Sequence, residues 1–351
     1  MGQEKSSRVR SIDVARLAGV SRSAVSRAFT SNAYVSPETR EKVLRAAEVL
    51  GYHPNVLARS LITRRSGIVG VVSTDLENPF YAAILQKISV SFQNQGLASL
   101  LLFGDEHSTD QQVSQLLSYQ VDAIVVTNAV LSSELTARLS LVKLPVVAVN
   151  RYFPQDWVTS ITCGNKTAAA SIANHLVAMG CKRIAFVAGK PGASSSVDRE
   201  AGFLRGLALH GIAPVAIEVG NYSHDGGAEA AMRILSAGIR PDGVFCANDL
   251  MAFGFMDTAR SKFGLRIPDD LRVAGFDNSS LASWPTYELT SVDQNIDEIV
   301  RLAVEEVMGR LNGGDSGTRH IEVPGQLCLR PSTLGWDHAG KMEASVFNDV
   351  L

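Results

Sequence analysis

Cysteine is scarce in this chain and scattered where it occurs. Cys163, Cys181, Cys246 and Cys328 form no C-x-x-C pair, and no histidine stands near them at metal-ligand spacing. Free, buried thiols in a reducing cytosol are expected, with no metal site. Long apolar runs are missing as well: the longest, 67–72 and 97–103, are of strand length, where a membrane helix needs ~20 residues. Near the N-terminus Glu4, Lys5, Arg8 and Arg10 have no apolar stretch behind them, so no secretory signal is expected and the chain reads as cytoplasmic. Catalytic signatures are equally lacking. There is no G-x-S-x-G and no G-x-G-x-x-G after a strand, and Gly189-Lys190 runs into Pro191 where a P-loop needs Ser or Thr. Asp249 and Asp277 could act as an acid/base pair, but no nucleophile with a base beside it is recognisable. Neither an enzyme nor a cofactor is expected.

Net charge is nearly absent too, at −2, yet that total hides a division. Residues 1–65 carry 12 Lys and Arg against 5 Asp and Glu, while the remaining 286 carry 21 against 30. A basic head on an acidic body implies that the head meets a polyanion and the body does not. With 351 residues, 46% of them hydrophobic, the chain has room for two or three units with buried cores.

The head shows helix punctuation. Ser11 is placed to cap a first helix with an apolar face at Val14, Leu17 and Ala18, and Gly19 can end it in a left-handed turn. Val20 packs the corner. Ser21 can cap a second helix whose inward residues are Val25, Ala28 and Phe29, leaving Arg22, Ser23, Ser26 and Arg27 outside. Ser36-Pro37-Glu38 opens a third with a cap, a first-turn proline and an acid on the helix dipole. Its buried stripe is Val43, Ala46, Ala47 and Leu50, and Gly51 ends it. Helix, glycine turn, helix and a buttressing helix make an all-α helix-turn-helix unit, which lays its second helix in the major groove.

Asp13-Val14-Ala15, Ala18-Gly19-Val20-Ser21, Val25-Ser26-Arg27 and Gly51-Tyr52-x-Pro54-Asn55, followed by Val56-Leu57-Ala58-Arg59-Ser60-Leu61, resemble the N-terminal signature of the lactose-repressor (LacI/GalR) family. The resemblance implies a helix-turn-helix domain over 1–53 and a hinge helix with its linker over 54–66. It implies DNA contacts from Ser21, Arg22, Ser23, Ser26, Arg27, Tyr34, Asn55, Ala58, Arg59 and Leu61. The hinge is too short to be a stable helix alone, and Leu61 is expected to wedge open a base step from the minor groove. An inverted-repeat operator then requires two heads, hence a homodimer.

From residue 67 onward strand-like runs alternate with helical patterns. Strands are predicted over 68–73, 98–103, 123–127, 146–149, 183–188, 243–247 and 272–275. Helices are predicted to start near Phe80, Asp110, Asn165, Val197, Gly226, Asp249 and Ile296. Such alternation predicts α/β architecture with parallel sheets, two of them rather than one. Ligands of such sheets bind beyond the carboxyl ends of the strands, where this chain places Asp75, Asn150-Arg151, the segment 194–199, Asn248-Asp249 and Phe276-Asp277. Amides, carboxylates, an arginine and aromatics around one crevice suit a hydroxyl-rich ligand.

This body, 67–335, resembles the periplasmic-binding-protein-like (type I) two-lobed core of the same family, with crossovers near 162, 292 and 324. By that resemblance Phe80, Asn150, Arg199, Asn248 and Asp277 are effector contacts; Asp75, just after the first strand, is expected to join them, and Phe80 or Trp284 to cover the ligand's apolar face. Gly164-Asn165 departs from the family's Asp-Asn and removes a carboxylate near a crossover. The expectation is therefore a cytoplasmic transcription regulator, a repressor, whose grip on a palindromic operator is controlled by a sugar-like effector, with no membrane partner. A nucleobase effector, or action as an activator, is the alternative on the same scaffold. A transport receptor would share the body but not the basic head. The tail, 336–351, holds Met342, Val346 and Val350 at helical spacing, which leaves a frayed end or a tetramerising helix open.

Overall fold

The structure, a computed structural model, describes residues 9–29, 33–53, 65–104, 108–128, 131–154, 157–314 and 317–334. The chain divides into two compact units, 1–66 and 67–351. The hinge residues Asn55, Ala58, Arg59 and Leu61 and the tail over 336–351 lie outside the described residues.

In the head, α1 (Ser11–Ala18), α2 (Arg22–Ala28) and α3 (Pro37–Leu50) form in the predicted places. The first cap differs by one residue: Arg10 is the N-cap, and its N–H donates to Asp13 Oδ2 at 2.9 Å. Ser21 Oγ accepts from Ala24 N at 3.2 Å and Ser36 Oγ from Thr39 N at 3.2 Å, satisfying N–H groups that the first helical turn leaves unpaired. Gly19 and Gly51 end α1 and α3 at φ 64° and 62°. A compact core joins Val14, Ala15, Val25, Ala28, Val43, Ala46 and Ala47. Leu17, expected inside, is 54% exposed. The buried face of α1 is centred between Val14 and Ala15, so Leu17 falls beyond its edge.

The body holds two six-stranded sheets. In chain order the first half runs β1 (Ile68–Ser73), α4 (Pro79–Asn94), β2 (Ala98–Phe103), α5 (Thr109–Ser118), β3 (Ala123–Thr127), α6 (Ser133–Leu141), β4 (Val146–Val149) and β5 (Val158–Cys163). The second runs α7 (Asn165–Ala178), β6 (Ile184–Ala188), α8 (Ser194–Ala208), β7 (Ala216–Val219), α9 (His224–Ser236), β8 (Gly243–Cys246), α10 (Asp249–Phe263) and β9 (Arg272–Asp277). A 3₁₀ turn at Ser280–Ser283 precedes β10 (Thr290–Asp293), α11 (Ile296–Leu311), β11 (Arg319–Val323), β12 (Gln326–Cys328) and α12 (Pro331–Leu334).

Sheet order is β11-β5-β4-β3-β1-β2 in one lobe and β12-β10-β9-β8-β6-β7 in the other. Every pairing is parallel except β10 with β12. The chain therefore passes between lobes after β5, after β10 and between β11 and β12. Helix α11 returns to pack with α4 over the first sheet, while α7 contributes Ala168, Ala169 and Ile172 to the core of the second. Parallel strands covered on both faces explain the near-continuous apolar runs of β1, β3 and β6. The thiols of Cys163, Cys181 and Cys246 are free and buried, and that of Cys328 is free and half-buried.

Candidate functional site

On the head, Ala24, Val25 and Ala28 turn α2 inward, which leaves Ser21, Arg22, Ser23, Ser26 and Arg27 exposed on one face. Tyr34 stands 92% exposed just before α3. Arg40, which sequence reasoning did not single out, reaches from α3 to donate to the Ala28 and Ala33 carbonyls. It ties the last turn of α2 and Ala33 to α3. The result is a short helix with two free-standing guanidinium groups and three hydroxyls on one side, suited to phosphate oxygens and base edges.

In the body, a narrow cleft of about 250 Å³, open solvent at its mouth included, forms a cavity beyond the carboxyl ends of the strands of both sheets. Of the residues expected there, Asp75, Asn150, Arg199, Asn248 and Asp277 line it. Two do not. Phe80 is 1% exposed, its ring packed in the core between the first sheet, α4 and α11. Its neighbour Tyr81 takes the place at the cavity, because successive helical side chains point about 100° apart. Trp284 ends the 3₁₀ turn 54% exposed and outside the cavity lining. The aromatic surface comes instead from Tyr81 and Tyr222, with Asn78, Asn128 and Ser195 as further lining groups.

Arg199 is the centre of this site. Though 1% exposed, it donates from Nε to Asn165 Oδ1 (2.8 Å) and from Nη1 to the Ala247 carbonyl (2.6 Å). It pairs with Asp277 Oδ1 at 3.6 Å and stacks 3.7 Å from the Phe276 ring centroid. Its Nη2 has no hydrogen-bond partner among the described residues, and neither has Asn150 Oδ1. Asn150 adopts φ 62° and donates from Nδ2 to Tyr81 Oη at 2.8 Å, which fixes the orphan oxygen. Buried polar atoms left unpaired are costly, and two of them on residues lining one cavity point to a polar ligand.

Asn248 is different. Its Oδ1 caps α10 at Met251 N (3.0 Å) and its Nδ2 holds the Tyr222 carbonyl (3.1 Å), so the amide is already used. Asp277 accepts from Gln294 Nε2 at 2.6 Å. Burial pushes its carboxyl up to about 8 against the opposing pull of Arg199, with Asp249 adding to the rise. Burial likewise lifts Asp249 to about 6, against hydrogen bonds from Ser291 and Ser279. Asp249 accepts from Ser291 Oγ on one oxygen (2.6 Å) and from Ser279 N on the other (2.7 Å), holding the β9–β10 end of the site. Asp75 is also raised by burial. Among the described residues no cluster of metal ligands occurs.

A three-helix head with an exposed basic helix, and a two-lobed body closing on a polar cleft, define a ligand-responsive DNA-binding regulator. A family model described as "Bacterial regulatory proteins, lacI family" matches residues 12–55, and one described as "Periplasmic binding protein-like domain" matches 173–333. Catabolite control protein A of Priestia megaterium is 32% identical over 92% of this chain and 98% of its own length. The HTH-type transcriptional repressor CytR of Escherichia coli K12 is 30% identical over 92% of this chain and 95% of its own. The lac repressor dimer bound to operator and the anti-inducer ONPF superposes with a TM-score of 0.82 at 27% identity, covering 93% of this chain and 99% of that one. A CelR–cellobiose complex gives 0.70 at 28%, covering 93% and 100%. The chain belongs to the lacI family of bacterial regulatory proteins, and it is a transcription regulator rather than an enzyme.

Proposed function

We propose that the protein is a cytoplasmic homodimeric repressor that binds an inverted-repeat operator and is switched by a small hydroxyl-rich effector in the body cleft. The observation that carries this reading is the pair of orphan atoms, Arg199 Nη2 and Asn150 Oδ1, on residues that line a cavity whose other polar groups include Asp75, Asp277, Asn248 and Ser195. A ligand bridging the lobes favours one lobe arrangement and shifts operator affinity only as far as it prefers that arrangement. Two sheet edges leave apolar side chains in water, Leu101 and Phe103 on β2 and Ile217 and Val219 on β7, a surface suited to a second copy. In this reading Leu61 and its two-fold mate form the minor-groove wedge. The repressor sense follows the names of relatives such as CytR.

The test is operator selection from random DNA followed by mobility shift. Arg22→Ala is expected to cost about 1–3 kcal/mol at one base position; uniform weakening across all sequences would make Arg22 a phosphate contact. Arg199→Ala and Asp277→Ala should keep operator binding but lose the effector response. Full effector affinity in both variants overturns the site.

A further inference from the structure

We propose that Asn78 and Ser194 are positioning residues that latch the two lobes of the body directly to each other, through the bonds Asn78–Asp277 and Ser194–Tyr152. With the cleft read as the effector site, a ligand that reaches Asp277 must displace Asn78 from it. The latch is then what an effector competes against.

Each end of the first bond is fixed within its own lobe. Asn78 follows β1 and is buried. Its N–H donates to Asp75 Oδ1 at 3.1 Å, and its Oδ1 accepts from Phe80 N at 3.0 Å as the cap of α4. Its side chain also hydrogen-bonds the Asp277 carboxyl. With Oδ1 taken by the cap, the group turned to Asp277 is the Nδ2 donor. Asp277 ends β9 in the other lobe and accepts from Gln294 Nε2 at 2.6 Å. Behind it, Asn278 donates to Ser291 Oγ and to Asp293 Oδ2, both at 3.0 Å, and accepts from Arg330 Nη2 at 2.6 Å. Asp277 is a fixed post.

The second bond is built alike. Tyr152 lies between β4 and β5, and its ring centroid stands 4.6 Å from that of His320 on β11. The next N–H, of Phe153, donates to Ser160 Oγ at 3.0 Å. All of these belong to the first lobe. Tyr152 N donates across to Ser194 Oγ at 3.1 Å. Ser194 opens α8, which is seated on α7 backbone to backbone: a Cβ at Gly202 would lie 2.1 Å from the Lys166 carbonyl oxygen.

Strand order keeps the two bonds apart. In one sheet β3 separates β1 from β4, and in the other β8 separates β9 from β6. On either sheet the strands that lead into the anchors are thus two spacings, roughly 10 Å, apart. Dense packing makes each lobe move as a unit. Two separated bonds between two units restrain one motion, so releasing one makes the other open more often. Bonds that open only by local fraying would not be linked in this way.

The experiment is hydrogen–deuterium exchange of the full chain, read residue by residue at the Tyr152 N–H while the other bond is altered. Asn78→Ser keeps a capping oxygen for α4 and removes the amide donor. Asn78→Asp keeps the cap and sets a second carboxyl against Asp277. The Tyr152 N–H should exchange about tenfold faster in the first variant, the size expected for losing one hydrogen bond to a carboxyl, and faster still in the second. Two N–H groups whose bonds lie within the first lobe should keep their native rates: Phe153, on Ser160 Oγ, and Asn150, which donates to the Ile161 carbonyl at 2.8 Å. The proposal is overturned if the Tyr152 N–H is unprotected in the native chain or if both variants leave its rate unchanged. It is overturned equally if Phe153 or Asn150 speeds up as much as Tyr152, since the loop or the whole lobe would then be unfolding. No effector enters this measurement. The cleft can therefore fail as the effector site, by the binding test of Arg199→Ala and Asp277→Ala, while the latch stands.

Discussion

Head and body are stabilised by different means. The head core is built from alanines and valines, with Phe29, Leu50 and Tyr52 only partly buried around it. The body of the second lobe is centred on Phe186, Phe203 and Phe245, whose ring centroids lie 4.9–5.4 Å apart. Small side chains bury little area each, so the head leans on caps and helix stops. The body, whose cores are built on larger apolar side chains, carries orphan polar atoms and left-handed residues around its cleft. The candidate sites thus lie on an exposed helix face in one unit and in a cleft among buried residues in the other.

Several changes would break or sharpen that contrast. Phe245→Ala removes the ring shared by the other two and should destabilise the body by about 3–5 kcal/mol, with the head transition unmoved. Calorimetric unfolding checks it, and a head transition that moves in step would show that the two units do not unfold independently.

Next in size is a pH effect confined to the body. Asp249 and Asp277 bind their protons more tightly folded than unfolded. Their contribution is therefore full below the ordinary carboxylate range and is lost as pH rises through about 6 for Asp249 and about 8 for Asp277. The slope cannot exceed about 1.4 kcal/mol per pH unit for each proton. Body stability should fall from pH 5 to pH 9, and Asp277→Asn should flatten the upper part of that fall. Identical profiles for the two proteins would remove Asp277 as the cause.

Smallest is Ser36→Ala, which deletes the cap on α3 and should cost about 1 kcal/mol, seen only in the head transition. A loss several times larger would mean that the cap holds more than one helix end.

The elements legible in the sequence are those with local signals. Ser21 caps a group three residues away, and Gly19 and Gly51 stop the helices they directly follow. Strands β1, β3 and β4 were predicted with their observed ends because they are apolar runs buried on both faces, and β2 because it too is an apolar run, although its edge position leaves it partly exposed. Strand β5 escaped: Thr159, Ser160 and Thr162 are polar yet buried, so neither alternation nor an apolar run marks it. Strand β7 is a short edge, and β10 to β12 take their places through distant pairings. In the site, Phe80 was an error of one helical position, since its neighbour Tyr81 faces Asn150. Tyr222 was missed because it follows the unpredicted β7. The only local clue was a polar Asn221-Tyr222 turn.

The sequence by itself determined the three-helix head, the outward face of α2 and the alternation that makes the body α/β. Those features depend on contacts a few residues apart or on a repeating apolar period. Only the tertiary structure decided what the cleft can hold. The partners that occupy the Arg199 fork lie 34 and 48 residues away along the chain. The rise of the Asp277 carboxyl is set by burial beneath elements from the whole body. Desolvation and pairing at that range are properties of packing, and no local run of residues encodes them.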